Sequence, residues 1–96
     1  MKLPVPLAFN WDQGNIEKNW EKHKVHFKEA EEIFFNKPLK IFPDKEHSGR
    51  EKRFLALGLT NSRRRLTIIF TIRENIIRII SVRDQSKKER IIYAKK

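Results

Sequence analysis

Two apolar runs, Leu66 to Arg73 and Ile76 to Arg83, are separated only by Glu74 and Asn75, and this break limits the folds open to the chain more than any other feature. A two-residue polar loop between runs rich in β-branched residues predicts a tight antiparallel hairpin. Ile68, Ile69, Phe70, Ile72, Ile76, Ile77, Ile79, Ile80 and Val82 leave little polar surface on either face. That pattern fits central strands covered by helices on at least one side.

The remaining segments supply the cover and the flanking strands. Asp12 is placed to cap a first helix with Ile16, Trp20 and His23 on one face. After Lys24 to His26, a second helical stripe of Phe27, Ala30, Ile33 and Phe34 ends at Asn36, Lys37 and Pro38. From there the period falls to two. Leu39 to Phe42 and Arg53 to Thr60 read as strands, Pro43 to Arg50 as a polar loop, and Asn61 to Arg65 as a basic turn. Ser86 with Glu89 three residues on forms a capping-box pattern for a final helix reaching Tyr93. The expected architecture is α+β: two N-terminal helices, an antiparallel sheet of about four strands and a C-terminal helix. At 96 residues, with three Gly and no repeat, the whole chain 1–96 is expected to form one domain.

Charge divides the chain unevenly. Residues 1–48 carry eight Lys against eight acidic residues, whereas residues 49–96 carry nine Arg and five Lys against four acidic residues, so the net +10 is C-terminal. Arginine favours planar, bidentate contact with phosphate or carboxylate, which points to an anionic partner. No Cys is present, which excludes thiolate nucleophiles and Cys-ligated zinc, and three scattered His make a metal site unexpected. There is no Gly-rich phosphate loop and no Ser beside a His, so nucleotide hydrolysis and triad chemistry have no foothold. No apolar stretch is long enough for a membrane span, and the expected location is the cytoplasm.

Arg78 and Arg83 interrupt an otherwise apolar strand, where a guanidinium is costly unless it is paired or reaches water. Their odd separation puts them on opposite faces unless a bulge re-aims one. Pairing with an acid such as Glu31, Glu32 or Glu89 is the plain structural alternative. His23, beside Lys22 on the first helix, could move a proton, because an imidazole titrates near pH ~6.5; His26 and His47 have no comparable placement. Trp11 and Tyr93 flank helix ends and could stack on bases. Arg63, Arg64 and Arg65 in the turn, with Lys87, Lys88 and Arg90 on the last helix, offer charge for backbone phosphates.

As a string, these positions resemble the BrnT family of bacterial toxins, the ribonuclease halves of type II toxin-antitoxin pairs. Phe9, Trp11, Asp12, Asn19, Lys22, His23, Phe27 and Ala30 match the family's F-x-W-D, N-x-x-K-H and F-x-x-A run. Asp44, Arg53, Gly58, the segment from Arg78 to Arg83, Glu89, Arg90 and Tyr93 match its back part. The chain departs from the family at Asn15, where members usually carry Lys, and at Lys24, where they usually carry Gly. The resemblance implies a RelE-like fold, RNA cleavage with neither metal nor cofactor, and neutralisation by a BrnA-type antitoxin. It also implies operator DNA as a partner only through the antitoxin complex. Such cleavage needs a base for the 2′-hydroxyl, cations for the charge at phosphorus and an acid for the departing 5′-oxygen. Arg78 and Arg83, with Arg53 as a third, are expected to hold that charge in one pocket. His23 is the expected base or acid, assisted by Lys22 or Tyr93. The rival is a basic RNA-binding or antitoxin-binding module without catalysis.

Overall fold

The computed structural model describes residues 2–46 and 49–95, so His47 lies outside the described residues. The elements are β1 (Phe9–Trp11), α1 (Gln13–His23), α2 (Phe27–Glu32), β2 (Lys40–Pro43), β3 (Phe54–Leu59), β4 (Arg65–Arg73), β5 (Ile76–Asp84) and α3 (Lys87–Ala94). They form one sheet in the order β1-β5-β4-β3-β2. The α+β class and the four-strand antiparallel meander are as expected. The sheet gains a fifth strand, β1, which pairs parallel to β5 and makes the sheet mixed. Three residues are too few to show a period, and their partner lies almost seventy positions on, so the pairing left no local trace.

The β4–β5 hairpin turns through Glu74 and Asn75, both with positive φ (53° and 64°). Two successive left-handed residues match the right-handed twist of the flanking strands, and Asn tolerates that region better than most residues. One face of the sheet carries the core: Ala56, Leu66, Ile68, Phe70, Ile77, Ile79 and Val82, packed under Ala30 of α2, Val25 of the link before it, and Ile33 and Phe34 of its exit turn. Gly58 lets α2 and its exit turn approach β3, because a Cβ there would lie 2.8 Å from the Cβ of Ile33.

Both helix caps expected at the N-terminal ends are present. The Asp12 carboxylate accepts from Gly14 N–H, and Ser86 and Glu89 form a reciprocal capping box. Two details differ from the apolar stripes. The helix α2 ends at Glu32, and residues 33–35 continue as turns closed by shorter i→i+3 bonds. In α1 the inner position is Asn19, which is buried, whereas Trp20 is half exposed. The reason is a backbone demand in β5: beyond Ile79 its outer edge has no β1 residue beside it, and the Asn19 Oδ1 accepts from Val82 N–H at 3.4 Å. A buried N–H without a partner would be costly, so an amide displaces an apolar side chain at this position.

Candidate functional site

A bulge decides where the arginines of β5 point. Ile69 pairs with Ser81 and Phe70 with Ile79, so Ile80 is an extra residue on β5. Before it the inward residues are Ile77 and Ile79, and after it Val82; the parity of the strand has shifted by one. Arg78 and Arg83, five apart, therefore share the face away from the core. Their cross-strand neighbours on β4 are Thr71 and Thr67. Arg53, one residue ahead of β3, falls by the alternation of that strand on the same side as Leu55 and Leu57. Along β5 the two arginines are separated by about 16 Å at most.

The helix α3 crosses this face over the row formed by Arg83, Thr67, Leu57 and Lys40. Leu57 in that row is fully buried, and polar contacts tie the helix on either side of it. Arg83 Nη1 and Nη2 donate to the Glu89 carboxylate at 2.6 and 2.9 Å, and Thr67 Oγ1 donates to the same carboxylate at 2.8 Å. Tyr93 Oη donates to the carbonyl of Pro38 at 2.6 Å, and Lys40 Nζ donates to the carbonyls of Ile92 and Lys95 at the helix end. Burial works against the Glu89 carboxylate, but hydrogen bonds from Arg83, the Ser86 backbone and Thr67 outweigh it and lower its pKa to about 2. The same pair raises the pKa of Arg83, and burial raises that of the Tyr93 hydroxyl.

Arg78 is different. It is half buried, lies between Asn10 on β1 and Thr71 on β4, and its side chain makes no ion pair or hydrogen bond among the described residues. A small cavity of about 70 Å³ lies beside it, bounded by Asn10, Arg73, Glu74 and Ile76. Arg83 is not part of that cavity. The two guanidiniums thus share a face, but the single pocket expected from the sequence is not formed, because Glu89 holds Arg83 under α3.

The other expected site residues divide into three groups. Arg63, Arg65 and Tyr93 border a groove on the far side of α3 from Arg78. Lys87, Lys88 and Arg90 are exposed on α3 itself, and Lys88 borders a smaller cavity of about 310 Å³ between that helix and β2–β3. The third group serves the helix-covered side. Trp11 Nε1 donates to Glu31 Oε2 at 2.8 Å and its ring meets Phe27 edge-on, so it packs rather than offering a stacking surface. Arg64 is clamped by Asp84 at 2.7 Å and donates to the carbonyls of His23 and Lys24, which fastens the end of α1. Its hydrogen bond with Asp84 raises its own pKa and lowers that of Asp84.

His23 ends α1, which packs on β5, and its carbonyl accepts from Arg64, the ion-pair partner of Asp84. Asp84 is paired with buried Leu66 and so points to the helix side. The sheet therefore stands between His23 and Arg78. Lys22, beside it, is exposed on the same helix. His26 caps α2, its Nδ1 accepting from Lys28 N–H. Among the described residues no group of three or more His, Asp or Glu is arranged to hold a metal ion.

A family model described as the ribonuclease toxin BrnT of type II toxin-antitoxin systems matches residues 11–89. The chain is also similar to the 1.1 Å crystal structure of the Brucella abortus ribonuclease toxin BrnT, with a TM-score of 0.65 and 25% identity, covering 84% of this chain and 99% of that one. No curated protein sequence matches it.

Proposed function

Because the chain belongs to the BrnT family of ribonuclease toxins of type II toxin-antitoxin systems, we propose that it is an endoribonuclease that cuts RNA without a metal ion. The observation that carries this reading is Arg78: an unpaired, half-buried guanidinium on the exposed face of the sheet, level with Thr71. Leaving a guanidinium partly desolvated with no ion pair is unfavourable, and a bound phosphate would relieve it with short, charge-assisted hydrogen bonds. In the cleavage step the 2′-oxygen forms a bond to phosphorus, the bond to the 5′-oxygen breaks, and one proton moves from the first oxygen to solvent or base while another reaches the second. Arg78 holds the extra charge at phosphorus. Arg53, on the same side of the sheet, is the proposed contact for a flanking phosphate, while Arg83 stays with Glu89 beneath α3. His23, behind the sheet, is left outside the reacting groups in this reading.

Growth inhibition follows from loss of intact RNA, and the proposed antagonist is a BrnA-type antitoxin, with operator DNA reached only through that complex. The cytoplasm is where both would act. Incubating the purified protein with RNA in excess chelator tests the reading. Cleavage that persists, and that stops when the antitoxin is titrated in, is the expected outcome; intact RNA at all protein concentrations would overturn it. The Glu89–Arg83 pair favours a second reading, a module that binds RNA without cutting it, since one of the two strand arginines is already occupied. Salt-sensitive binding with no cleavage is the result that reading expects.

A further inference from the structure

The bar formed by α3 leaves a second cationic site on the exposed face, separate from Arg78. Beyond it, Arg63, Arg65 and Lys95 rim a groove of about 760 Å³ whose floor includes Pro38, Leu59 and Tyr93. No acidic side chain lines this groove among the described residues. Its volume is within the range of small-molecule sites, enough for more than one nucleotide unit. We propose that the groove is a second RNA-binding site, holding the phosphodiester backbone of the strand that flanks the scission point. It rests on the ribonuclease reading for the identity of that strand.

The turn before β4 is built to sort its three arginines. Thr60 N–H donates to the carbonyl of Arg64, Arg63 N–H to the carbonyl of Thr60, and Arg64 N–H to Thr60 Oγ1. This tight loop holds Arg63 in the left-handed region (φ 69°), an unusual conformation for a long side chain. Arg64 is turned to the helix side, where Asp84 and two carbonyls consume its donors. Arg63 and Arg65 are left at the groove with no ion-pair partner among the described residues. Lys40, which also borders the groove, donates to two carbonyls at the C-terminal end of α3. That contact offsets the negative end of the helix, which would otherwise repel an anion.

A regularly charged single strand fits this surface better than an acidic peptide. Arg65 is two residues from Thr67, the cross-strand neighbour of Arg83, so the groove adjoins the Arg83 row at about 7 Å along β4. Between the groove and Arg78, the exposed Lys87, Lys88 and Arg90 of α3 keep the path positive. A strand that leaves the groove over α3 passes these three cations before it reaches Arg78, whose cavity Glu74 also borders.

The probe is a fully 2′-O-methylated RNA of about 12 nucleotides, long enough to span such a site and lacking the attacking hydroxyl. Its affinity for the whole protein is measured by fluorescence anisotropy across a salt series. Each phosphate contact contributes about 0.7 to the slope of log K against log salt for a single strand, so the R63N/R65Q variant is expected to bind roughly fivefold or more weakly with a slope shallower by about 1.4. The R63K/R65K variant is expected to keep the parental slope, which a purely structural role would not explain. Unchanged affinity and slope in R63N/R65Q, or no binding by the parent, would overturn the proposal, as would tighter binding of an acidic peptide of equal charge. A parent that binds this probe through Arg63 and Arg65 but leaves unmethylated RNA uncut overturns the ribonuclease reading and keeps the groove. A parent that cuts RNA while its binding ignores both arginines overturns the groove alone.

Discussion

Arg78 and Arg83 make opposite demands on the fold although both leave β5 on one face. Arg83 shares a half-buried carboxylate with Thr67 and Ser86, so Arg83→Ala leaves Glu89 short of its main partner and is expected to cost about 1–2 kcal/mol, the lower end for a charged hydrogen-bonded pair because the guanidinium is 38% exposed. Arg78→Ala removes no side-chain hydrogen bond or ion pair with a described residue and is expected to stay within about 0.5 kcal/mol of the parent. Urea titration of the two variants checks both values. Glu89 also gives a pH signature. Its pKa falls from the usual 4.5 to about 2 on folding, so its contribution is complete above pH 4.5 and fades as pH drops from there toward 2. Glu89→Gln is expected to be less stable at neutral pH but flatter across that acid window; a parallel acid limb in both proteins would contradict this. His23→Gln is expected to keep cleavage within tenfold of the parent, since the sheet separates it from Arg78. A larger loss would move the reacting phosphate to the rim of β5.

At the level of elements, the hairpin, the Asp12 cap, the Ser86–Glu89 capping box and the apolar stripe of α2 were legible because each leaves a local pattern. Three things were not. Ile80 looks like any other strand residue, yet it is the bulge that brings Arg78 and Arg83 to one side. The strand β1 is defined only by its distant partner. Asn19 answers an unpaired N–H on Val82 that no helical periodicity reveals. The motif residues also look different once placed: Asp12 caps α1, Trp11 binds Glu31 and Asn19 braces β5, so much of the front motif is scaffold. Lys24 occupies the left-handed cap of α1 (φ 53°), a conformation that favours glycine. Gly58 has a similar physical reason. Gly58→Ala drives a methyl into Ile33 and is expected to destabilise by about 1–3 kcal/mol through overpacking. A midpoint of unfolding equal to the parent's would show that α2 can yield at no cost.

Across the whole molecule, the sheet separates two chemistries. One side is a packed core closed by the first two helices, with Arg64, Asp84 and Glu29 fastening its rim. The other bears Arg53, Arg65, Arg78 and Arg83, crossed by a helix that covers buried Leu57 and is tied by charged and polar contacts. The charge imbalance of the C-terminal half announced this face, because six of its nine arginines belong to β4, β5 and the turn before β4. Its division by α3 was not announced, since that depends on which carboxylate reaches which guanidinium. The most direct test of the account is the cleavage rate of Arg78→Ala on unmodified RNA in chelator, beside the parent at matched stability. A fall of about 100-fold or more, the usual loss when a transition-state charge is left unsupported, is the predicted result. A rate equal to the parent's would contradict it.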